Sequence, residues 1–245
     1  MDSSWKNSSS WYDKVVSDEG HYYHQKIVLP KSLDLLALQK GDSLLDLACG
    51  QGVLSRAIPK GIDYLGIDGA KGLIEAAKKR SNKKFMVHDL STPLELKDRF
   101  SHAAIVLAFQ NIFTPQEVLK TAASHLKKKG KLLIVLNHPV FRIPRQSHWG
   151  IDEKKRLQYR IVEKYMTPMK IPIQTAPSKK ERSETVWSYH YSLSEMSTML
   201  YEAGFHIVKI EEWISDKKSS GKHAKMENTA RKEFPLFMAL LVEKR

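Results

Sequence analysis

The chain has 245 residues, of which 42% are hydrophobic, and it carries one cysteine and a formal net charge of +13 at pH 7. This length and composition suit one large globular domain over residues 1–245, and a single cysteine excludes an intrachain disulfide. The longest apolar run, Ala103 to Phe109, is too short to cross a membrane. Since the N-terminus also lacks the apolar stretch of an export signal, we expect a cytoplasmic protein.

The positive charge raises the question of an anionic partner. Its two densest runs, residues 78–84 and 127–129, fall at the predicted ends of helices. Cations there interact favourably with the helix dipole, and neither run is interleaved with aromatic residues that could stack on bases. The pattern therefore favours helix ends exposed to solvent over nucleic-acid binding.

The N-terminal part of the chain leads into a glycine-rich turn. Residues 1–40 are predicted to form a helical N-terminal segment, with its clearest helix at Leu33–Leu38, and the first strand spans Leu44–Leu47. The strand runs directly into Cys49-Gly50-Gln51-Gly52. Glycine lets the backbone approach a ligand closely, so this turn indicates a nucleotide-like ligand.

Two more strands have, like the first, an acidic residue at or next to their carboxyl end. A short helix at Val53–Ile58 precedes the second strand, Tyr64–Asp68, and a helix ending at Arg80 precedes the third, Phe85–Val87. The three acids at these strand ends are Asp46, Asp68 and Asp89. Ligands of open α/β sheets bind at the carboxyl ends of the strands. Acids there can accept ribose hydroxyls, meet an adenine amino group or hold a cationic amine.

The fourth and fifth strands complete a predicted core over residues 41–139. Ala103–Phe109 is a continuous apolar run, as expected for a central parallel strand that is covered on both faces. Leu132–Leu136 is the fifth strand. Strand–helix alternation repeated this often, with short connections, predicts an α/β fold with a doubly wound, mostly parallel sheet.

A helix is predicted between these two strands. Residues 114–117 combine a threonine at the N-cap, a proline at the first helical position and a glutamate three residues after the cap. We expect the helix to continue to about Leu126 and to end at Gly130.

Residues 140–190 break the alternation. They contain several prolines, a polar segment near Asp152–Lys164 that we interpret as helical, and no clear strand. We predict that this insertion after strand five forms a lid over the sheet.

Residues 191–245 return to the earlier pattern. A capping box starts a helix over Met196–Ala203, and Phe205–Ile210 and Phe237–Val242 are predicted as the last two strands. The polar stretch between them, Ser215–Lys232, is interpreted as a loop or a frayed helix.

Three segments together resemble the class I S-adenosylmethionine-dependent methyltransferases. LLDLACGQG at 44–52 is similar to the first motif of that family, YLGIDGA at 64–70 to its ribose-binding strand end, and FMVHDL at 85–90 to the segment with its adenine-side acid. The resemblance covers roughly residues 44–136. It implies a Rossmann-like seven-stranded sheet with an antiparallel last strand, and S-adenosyl-L-methionine as the cofactor, with S-adenosyl-L-homocysteine as the product.

The resemblance also implies positions for the cofactor. The methionine end would lie at the glycine turn and at Asp46, the ribose at Asp68, the adenine amine at Asp89, and the sulfonium near the end of strand four. The implied cofactor-binding residues are Asp46, Ala48, Gly50, Gly52, Asp68, Gly69, Asp89, Leu90, Phe109 and Gln110. Ala48 stands where many members of the family have glycine.

A dinucleotide oxidoreductase is the competing interpretation of the glycine turn. Gly50-Gln51-Gly52 followed by Ser55 is one residue away from G-x-G-x-x-G, and Asp68 could equally bind a ribose. This alternative does not account for Asp46 before the turn or for Asp89 after the third strand.

Two classes of methyl acceptor are disfavoured by the sequence. Enzymes that methylate adenine in nucleic acids, or glutamine, carry an Asn-Pro-Pro-Tyr type of motif after strand four, where this chain has Gln110-Asn111-Ile112-Phe113. Methylation of cytosine at carbon 5 needs a nucleophilic cysteine. The single cysteine, Cys49, lies in the cofactor turn.

We predict a small organic acceptor, enclosed by residues 1–40 and 140–190. Methyl transfer needs alignment above all, and a general base is sought at His138 and His190, with His21 and His24 as further candidates. Trp149, Tyr159, Trp187 and Tyr189 are candidates for an aromatic pocket. The predicted substrate-binding residues are His21, Tyr22, His24, Arg142, Trp149 and Tyr189, and no metal site is predicted. The alternatives are an RNA- or protein-directed methyltransferase and a non-catalytic S-adenosylmethionine-binding protein.

Overall fold

The computed structural model describes residue 13 and residues 20–175 and 184–245. The predictions for residues 1–12 and 14–19 of the N-terminal segment, and for residues 176–183 of the lid, lie outside these described residues.

The predicted alternation of strands and helices is confirmed. The helices are α1 (Leu29–Leu36), α2 (Val53–Ala57), α3 (Lys71–Arg80), α4 (Pro115–His125), α5 (Leu193–Glu202) and α6 (Ala224–Glu233), with a π-helical turn at His24–Val28 and a 3-10 turn at Phe109–Asn111. The strands of the main sheet are β1 (Ser43–Leu47), β2 (Asp63–Asp68), β3 (Lys84–Val87), β4 (Phe100–Val106), β5 (Leu126–Asn137), β10 (Phe205–Trp213) and β11 (Phe237–Lys244).

The main sheet has the predicted seven strands, in the order β3-β2-β1-β4-β5-β11-β10. β1 to β5 are parallel to one another, whereas β11 runs antiparallel to both β5 and β10. The order along the chain reverses between β1 and β4. A crevice at this switch point is where open α/β sheets bind ligands.

Helices on both faces explain why the central strands are apolar throughout. In β5, Leu132 and Ile134 pack into the core that contains α4 and α5, while Leu133 and Val135 pack into the core that contains α1 and α3. Alternate residues of a strand point to opposite faces, so both faces of β5 must be apolar. The continuous apolar run at 103–109 follows the same rule in β4, where Ala103 and Ile105 pack into the first core and Ala104 into the second. It was therefore correctly interpreted as a central strand, although β4 ends at Val106.

The capping box predicted for α5 is present, and that predicted for α4 is not. Ser192 accepts a hydrogen bond from the backbone of Glu195, whose side chain bonds back to Ser192. Thr114 makes no side-chain cap bond to α4. Residues 114–117 have the residue types of a capping box, but the cap also requires the Thr114 side chain to point toward the backbone N–H groups of the first helical turn.

The end predicted for α4 is wrong. The helix stops at His125, because Leu126 is buried and already pairs with Phe100 of β4. The lysines at 127–129 and Gly130 consequently belong to an irregular beginning of β5. The run at 127–129 therefore lies in a strand and not at a helix end.

The lid prediction is correct in place and wrong in structure. A hairpin replaces the expected helix at 152–164: β6 (Ser147–Asp152) pairs with β7 (Leu157–Val162). A second hairpin, in which β8 (Met169–Gln174) pairs with β9 (Thr185–His190), follows where no clear strand was expected. The first hairpin turns at charged residues 153–156, where Arg156 has a positive φ of 50°. This local run of charge resembled an exposed helix.

The last helix and the lengths of the helices both bear on the sequence predictions. The predicted loop or frayed helix at 215–232 contains the regular helix α6. In the described part of the chain, no helix has both the length and the apolarity to cross a membrane.

Candidate functional site

A cavity of about 670 Å³ lies at the carboxyl ends of β1 to β4, beneath the β8–β9 hairpin. This volume is in the range of roughly 300–1,000 Å³ that is usual for small-molecule sites. Of the predicted cofactor residues, those lining it are Asp46, Ala48, Gly50, Asp68, Gly69, Asp89 and Leu90. The topology thus brings the acids of three successive strands to one space.

Asp46 is the most deeply buried of these acids. Its side chain is only 2% exposed, and Oδ2 accepts a 2.6 Å hydrogen bond from the hydroxyl of Tyr64. Burial raises the pKa of Asp46 to about 7, although the Tyr64 bond opposes the rise and the nearby Asp68 adds to it. Within the described residues, no Lys or Arg pairs with this carboxyl group. A cationic ligand would supply the missing charge.

Asp68 is held by the backbone of two glycine-containing turns. Its Oδ2 accepts from the amide of Gly50 at 2.9 Å, and its Oδ1 accepts from the amide of Ala70 at 2.8 Å. Burial raises the pKa of Asp68, and the two backbone bonds oppose that rise. A carboxylate has about four acceptor sites, so both oxygens can still accept ribose hydroxyls.

Asp89 organises the turn after β3. One carboxylate oxygen, Oδ1, accepts from the amide and the hydroxyl of Ser91 at 3.0 and 2.8 Å. The Asp89 carbonyl accepts from the hydroxyl of Thr92 at 2.7 Å. The turn places Ser91 and Thr92 beside Leu90 on the cavity wall.

Two positions of the glycine turn, Ala48 and Gly52, have features that the sequence did not predict. Ala48 has a φ of 58°, in the left-handed region that disfavours residues with a Cβ atom. Gly52 does not line the cavity: a Cβ atom there would lie 2.9 Å from the ring of Phe85, so glycine is needed for packing. Gly50 is the turn glycine that faces the ligand space.

The wall at the end of β4 lies two residues earlier in the chain than predicted. Leu107 has a φ of 54° and turns the chain, so that Leu107 and Ala108 line the cavity. Phe109 and Gln110 instead line a small neighbouring cleft of about 30 Å³. The structure therefore does not place these two side chains on the main cavity.

His138 and His190 also lie on the small cleft. His138 is 1% exposed; its Nδ1 accepts from the amides of Val140 and Phe141, and Nε2 donates to Glu212 at 2.7 Å. In His190, Nε2 donates to the carbonyl of Tyr165 at 2.8 Å. Both rings are buried and hydrogen-bonded within the protein, and neither lines the main cavity.

His24 is the predicted N-terminal residue that reaches the cavity. It is 5% exposed, and its buried Nδ1 has no hydrogen-bond partner among the described residues. Burial lowers its pKa to about 3, with smaller contributions from His21 and Arg56. His24 is therefore neutral at physiological pH.

The other predicted substrate residues divide between two places. Tyr189 lines the cavity, as does Trp187. Outside it, His21 contacts the ring of His24 at a centroid distance of 4.2 Å, and Tyr22 donates to Asp216. Arg142 lies on the small cleft.

The β6–β7 hairpin carries the remaining aromatic candidates. Trp149 packs against Phe234 and Arg160 there, away from the cavity, and Tyr159 lies on the same hairpin. These two residues therefore do not belong to the aromatic pocket that we predicted.

Several cavity residues were not predicted. They include Cys49, Ser91, Thr92, Leu107, Ala108, Asn111, Ile112, Thr114, Phe113 and Lys170. For Phe113 the signal was available, because it follows the fourth strand by a few residues. Lys170 reaches the cavity through the pairing of β8 with β9. The local sequence around Lys170 did not predict this pairing.

Comparison with known proteins identifies the family. A profile described as a methyltransferase domain matches residues 21–210, which is most of the chain. The chain belongs to this family of methyltransferases. It is a class I S-adenosylmethionine-dependent methyltransferase by family, and its cofactor is S-adenosyl-L-methionine.

Curated relatives are similar over part of their length. The chain is 30% identical over 99 residues to a ubiquinone biosynthesis O-methyltransferase from Coxiella burnetii, which is 38% of this chain and 42% of the relative. It is 30% identical over 108 residues to a demethylmenaquinone methyltransferase from Thermotoga maritima, which is 42% of this chain and 47% of the relative. The methyltransferase thus matches less than half the length of each.

Solved structures extend the likeness of the fold to most of the chain. An S-adenosylmethionine-dependent methyltransferase from Mesorhizobium loti superposes with a TM-score of 0.68 at 21% identity, covering 89% of this chain and 99% of that one. A glycopeptide N-methyltransferase in complex with S-adenosylmethionine gives 0.59 at 14% identity, covering 88% and 92%. At these identities the likeness establishes the fold of the methyltransferase.

Proposed function

We propose that this methyltransferase transfers the methyl group of S-adenosyl-L-methionine to a small organic acceptor held beneath the β8–β9 hairpin. One observation carries the proposal: a single cavity extends from the three strand-end acids to the aromatic side chains of the hairpin. It is continuous, so a cofactor at the strand ends and an acceptor at the hairpin would share one space. The relatives named as a ubiquinone biosynthesis O-methyltransferase and a demethylmenaquinone methyltransferase also support a small acceptor.

The cavity residues fit the cofactor. Asp46 is a buried acid that lacks a cationic partner in the described chain, and it can pair with the cofactor's ammonium group. Asp68 retains acceptor capacity for the ribose hydroxyls, and Asp89 and Leu90 can meet the adenine ring. The unpartnered Nδ1 of His24 gives the methionine end a further polar atom.

When bound, the cofactor would supply a methyl group on a cationic sulfonium, which a lone pair of the acceptor would take while the C–S electron pair stayed on sulfur and S-adenosyl-L-homocysteine was left. The chain's residues bind and align the two partners. Alignment of reacting groups can by itself contribute roughly 7–11 kcal/mol to lowering a barrier. Neither His138 nor His190 is proposed as a base, because both rings lie outside the cavity and their Nε2 atoms are hydrogen-bonded.

Calorimetry with S-adenosyl-L-homocysteine tests the cofactor half of the proposal. We expect saturable binding that Asp68→Ala weakens by at least about tenfold, since a hydrogen bond involving a charged group contributes about 1.5–3 kcal/mol. Asp63→Ala is the matched control, because Asp63 lies at the other end of β2 and its side chain is 66% exposed. Absence of binding, or equal loss in both variants, would refute the cofactor assignment.

Transfer of labelled methyl groups tests the acceptor half. The protein is incubated with labelled cofactor in three separate reactions. One contains a metabolite extract, one contains bulk RNA and one contains a protein extract. Label that appears in the metabolite fraction supports the proposal. Label only in RNA or protein would replace it with a macromolecular acceptor, and label in none of the three would leave a binding protein without catalysis.

A further inference from the structure

Four side chains at the lid end of the cavity form one surface, here called the lid face: Phe113, Lys170, Trp187 and Tyr189. Lys170 lies directly opposite Tyr189 in the β8–β9 pairing. Side chains of directly paired residues share a face of a hairpin, and residues two apart on a strand do so as well. Lys170, Trp187 and Tyr189 therefore point to the same side, toward Phe113.

The rings of the lid face are close to one another and only partly covered. The centroids of Phe113 and Tyr189 lie 5.7 Å apart, at an interplanar angle of 58°. Phe113 is 49% exposed. A planar apolar ligand that covered it would remove aromatic surface from water, which favours binding by about 25 cal/mol per Å².

Lys170 adds a cation to this aromatic surface. Its Nζ lies 4.2 Å from the ring centroid of Trp187 and 5.9 Å from that of Phe113. Among the described residues that line the cavity, Lys170 is the only Lys or Arg. The charges are thus separated: the acids lie at the strand ends, and the cation lies under the lid.

This separation matches two ligands of opposite charge. The cofactor is cationic at sulfur, so the acids suit it. A second ligand beneath the hairpin meets aromatic rings on its faces and an ammonium group at its edge, an environment that selects a flat anion.

We propose that the acceptor is an aromatic carboxylate, with its ring on the lid face and its carboxylate group at Nζ of Lys170. This inference rests on the proposed function and names its substrate class. Lys170 and Trp187 then determine specificity through charge and ring stacking, respectively. Because Lys170 is exposed at the cavity mouth, its replacement leaves the buried core untouched.

Binding of three small probes to the full chain saturated with S-adenosyl-L-homocysteine tests the inference. The probes are benzoate, its neutral analogue benzamide and its non-aromatic analogue cyclohexanecarboxylate, each titrated by ligand-observed NMR. We expect benzoate to bind about tenfold more tightly than either analogue, a difference of about 1.4 kcal/mol.

The variants separate charge from ring. Lys170→Met should reduce the affinity for benzoate to that for benzamide, Lys170→Arg should keep the preference, and Lys170→Glu should reduce the affinity for benzoate below that for benzamide. Trp187→Leu should make benzoate and cyclohexanecarboxylate equal. The matched control is Lys155→Met, which removes an exposed lysine in the turn of the β6–β7 hairpin and should change nothing.

The results distinguish this inference from the proposed function. Failure to bind S-adenosyl-L-homocysteine refutes both. Normal binding of that ligand, together with equal affinities for benzoate and benzamide or an unchanged preference in Lys170→Met, refutes the aromatic carboxylate alone. If Trp187→Leu does not fold, the Lys170 variants still decide the outcome.

Discussion

The hydroxyl group of Tyr64 in β2 donates a 2.6 Å hydrogen bond to Oδ2 of Asp46 in β1, and both side chains are almost fully buried. Gly66 makes this contact possible. It lies beside Asp46 in the parallel register, and a Cβ atom on it would come within 2.8 Å of the Tyr64 hydroxyl. The bond thus fixes the orientation of Asp46, one of the three acids that line the cavity.

Tyr64→Phe should weaken cofactor binding in a pH-dependent way. The hydroxyl lowers the pKa of Asp46, which burial holds at about 7, so its removal should raise that pKa further. More Asp46 is then protonated at neutral pH, and the attraction for the ligand's ammonium group falls. We expect about a tenfold loss of affinity for S-adenosyl-L-homocysteine at pH 7 and a smaller loss at pH 8.5, measured by calorimetry. A loss that is equal at both pH values would argue against control through Asp46.

Asp46→Asn should stabilise the unliganded protein at high pH. The pKa of Asp46 is about 7 in the fold, above the usual value of 3.8, so the folded state holds a proton that the unfolded state loses between these values. Its contribution to stability therefore falls as the pH rises through this window, and the full cost of the buried charge applies above pH 7.

Asparagine can accept the Tyr64 bond without carrying that charge. We expect the free energy of unfolding to increase on the order of 1–3 kcal/mol at pH 8 and to be nearly unchanged at pH 4. Urea denaturation at both pH values measures this. The same variant should lose binding of S-adenosyl-L-homocysteine, and a variant that bound normally would remove Asp46 from the cofactor site.

The strand-end acids could be predicted from the sequence because they depend only on topology. Asp46 and Asp68 lie at the ends of recognisable strands and Asp89 shortly follows one, and the carboxyl ends of parallel strands meet at one edge of a sheet. The Tyr64–Asp46 bond depends on more: two strands must be paired in register, with a glycine between the side chains. Residue spacing along one strand does not contain that information.

The lid could be located but not described from the sequence. Its charged turn at 153–156 resembles part of an exposed helix, and β8 and β9 pair across residues 175–184, so their register is not local. At the end of β4, the left-handed Leu107 moved the cavity wall by two residues relative to the prediction. Such a backbone conformation is unusual for leucine, and apolar patterning does not reveal it.

Ala48→Gly should stabilise the protein. Ala48 has a φ of 58°, a conformation that costs a residue with a Cβ atom about 1–2 kcal/mol. Glycine avoids this cost but gains freedom in the unfolded chain, so we expect a net gain of about 0.5–1 kcal/mol in thermal or urea unfolding. The matched control is Ala76→Gly within α3, which should destabilise by about 1 kcal/mol. If both substitutions destabilise the protein, strain at Ala48 is not relieved by glycine.

His24→Gln should make stability less sensitive to acid. Burial lowers the pKa of His24 to about 3 from the usual 6.5, so below pH 6.5 the unfolded state binds a proton that the folded state excludes. The stability contributed by the neutral, buried ring is therefore lost progressively as the pH falls from 6.5 toward 3. Two pH units below 6.5, this one group should cost the wild type about 2.7 kcal/mol.

Urea unfolding of the His24→Gln variant at pH 7.5, 6.5, 5.5 and 4.5 measures this effect as a shallower fall in the free energy of unfolding. His206→Gln is the control, because His206 lies on the edge strand β10 with a side chain that is 51% exposed. The raised pKa of Asp46 makes its own contribution to stability increase as the pH falls over part of this range. The free energy of unfolding of the variant should therefore be compared with that of the wild type at each pH. If both histidine variants follow the wild-type curve, His24 takes up a proton in the fold, and the buried Nδ1 must then have access to water through the cavity.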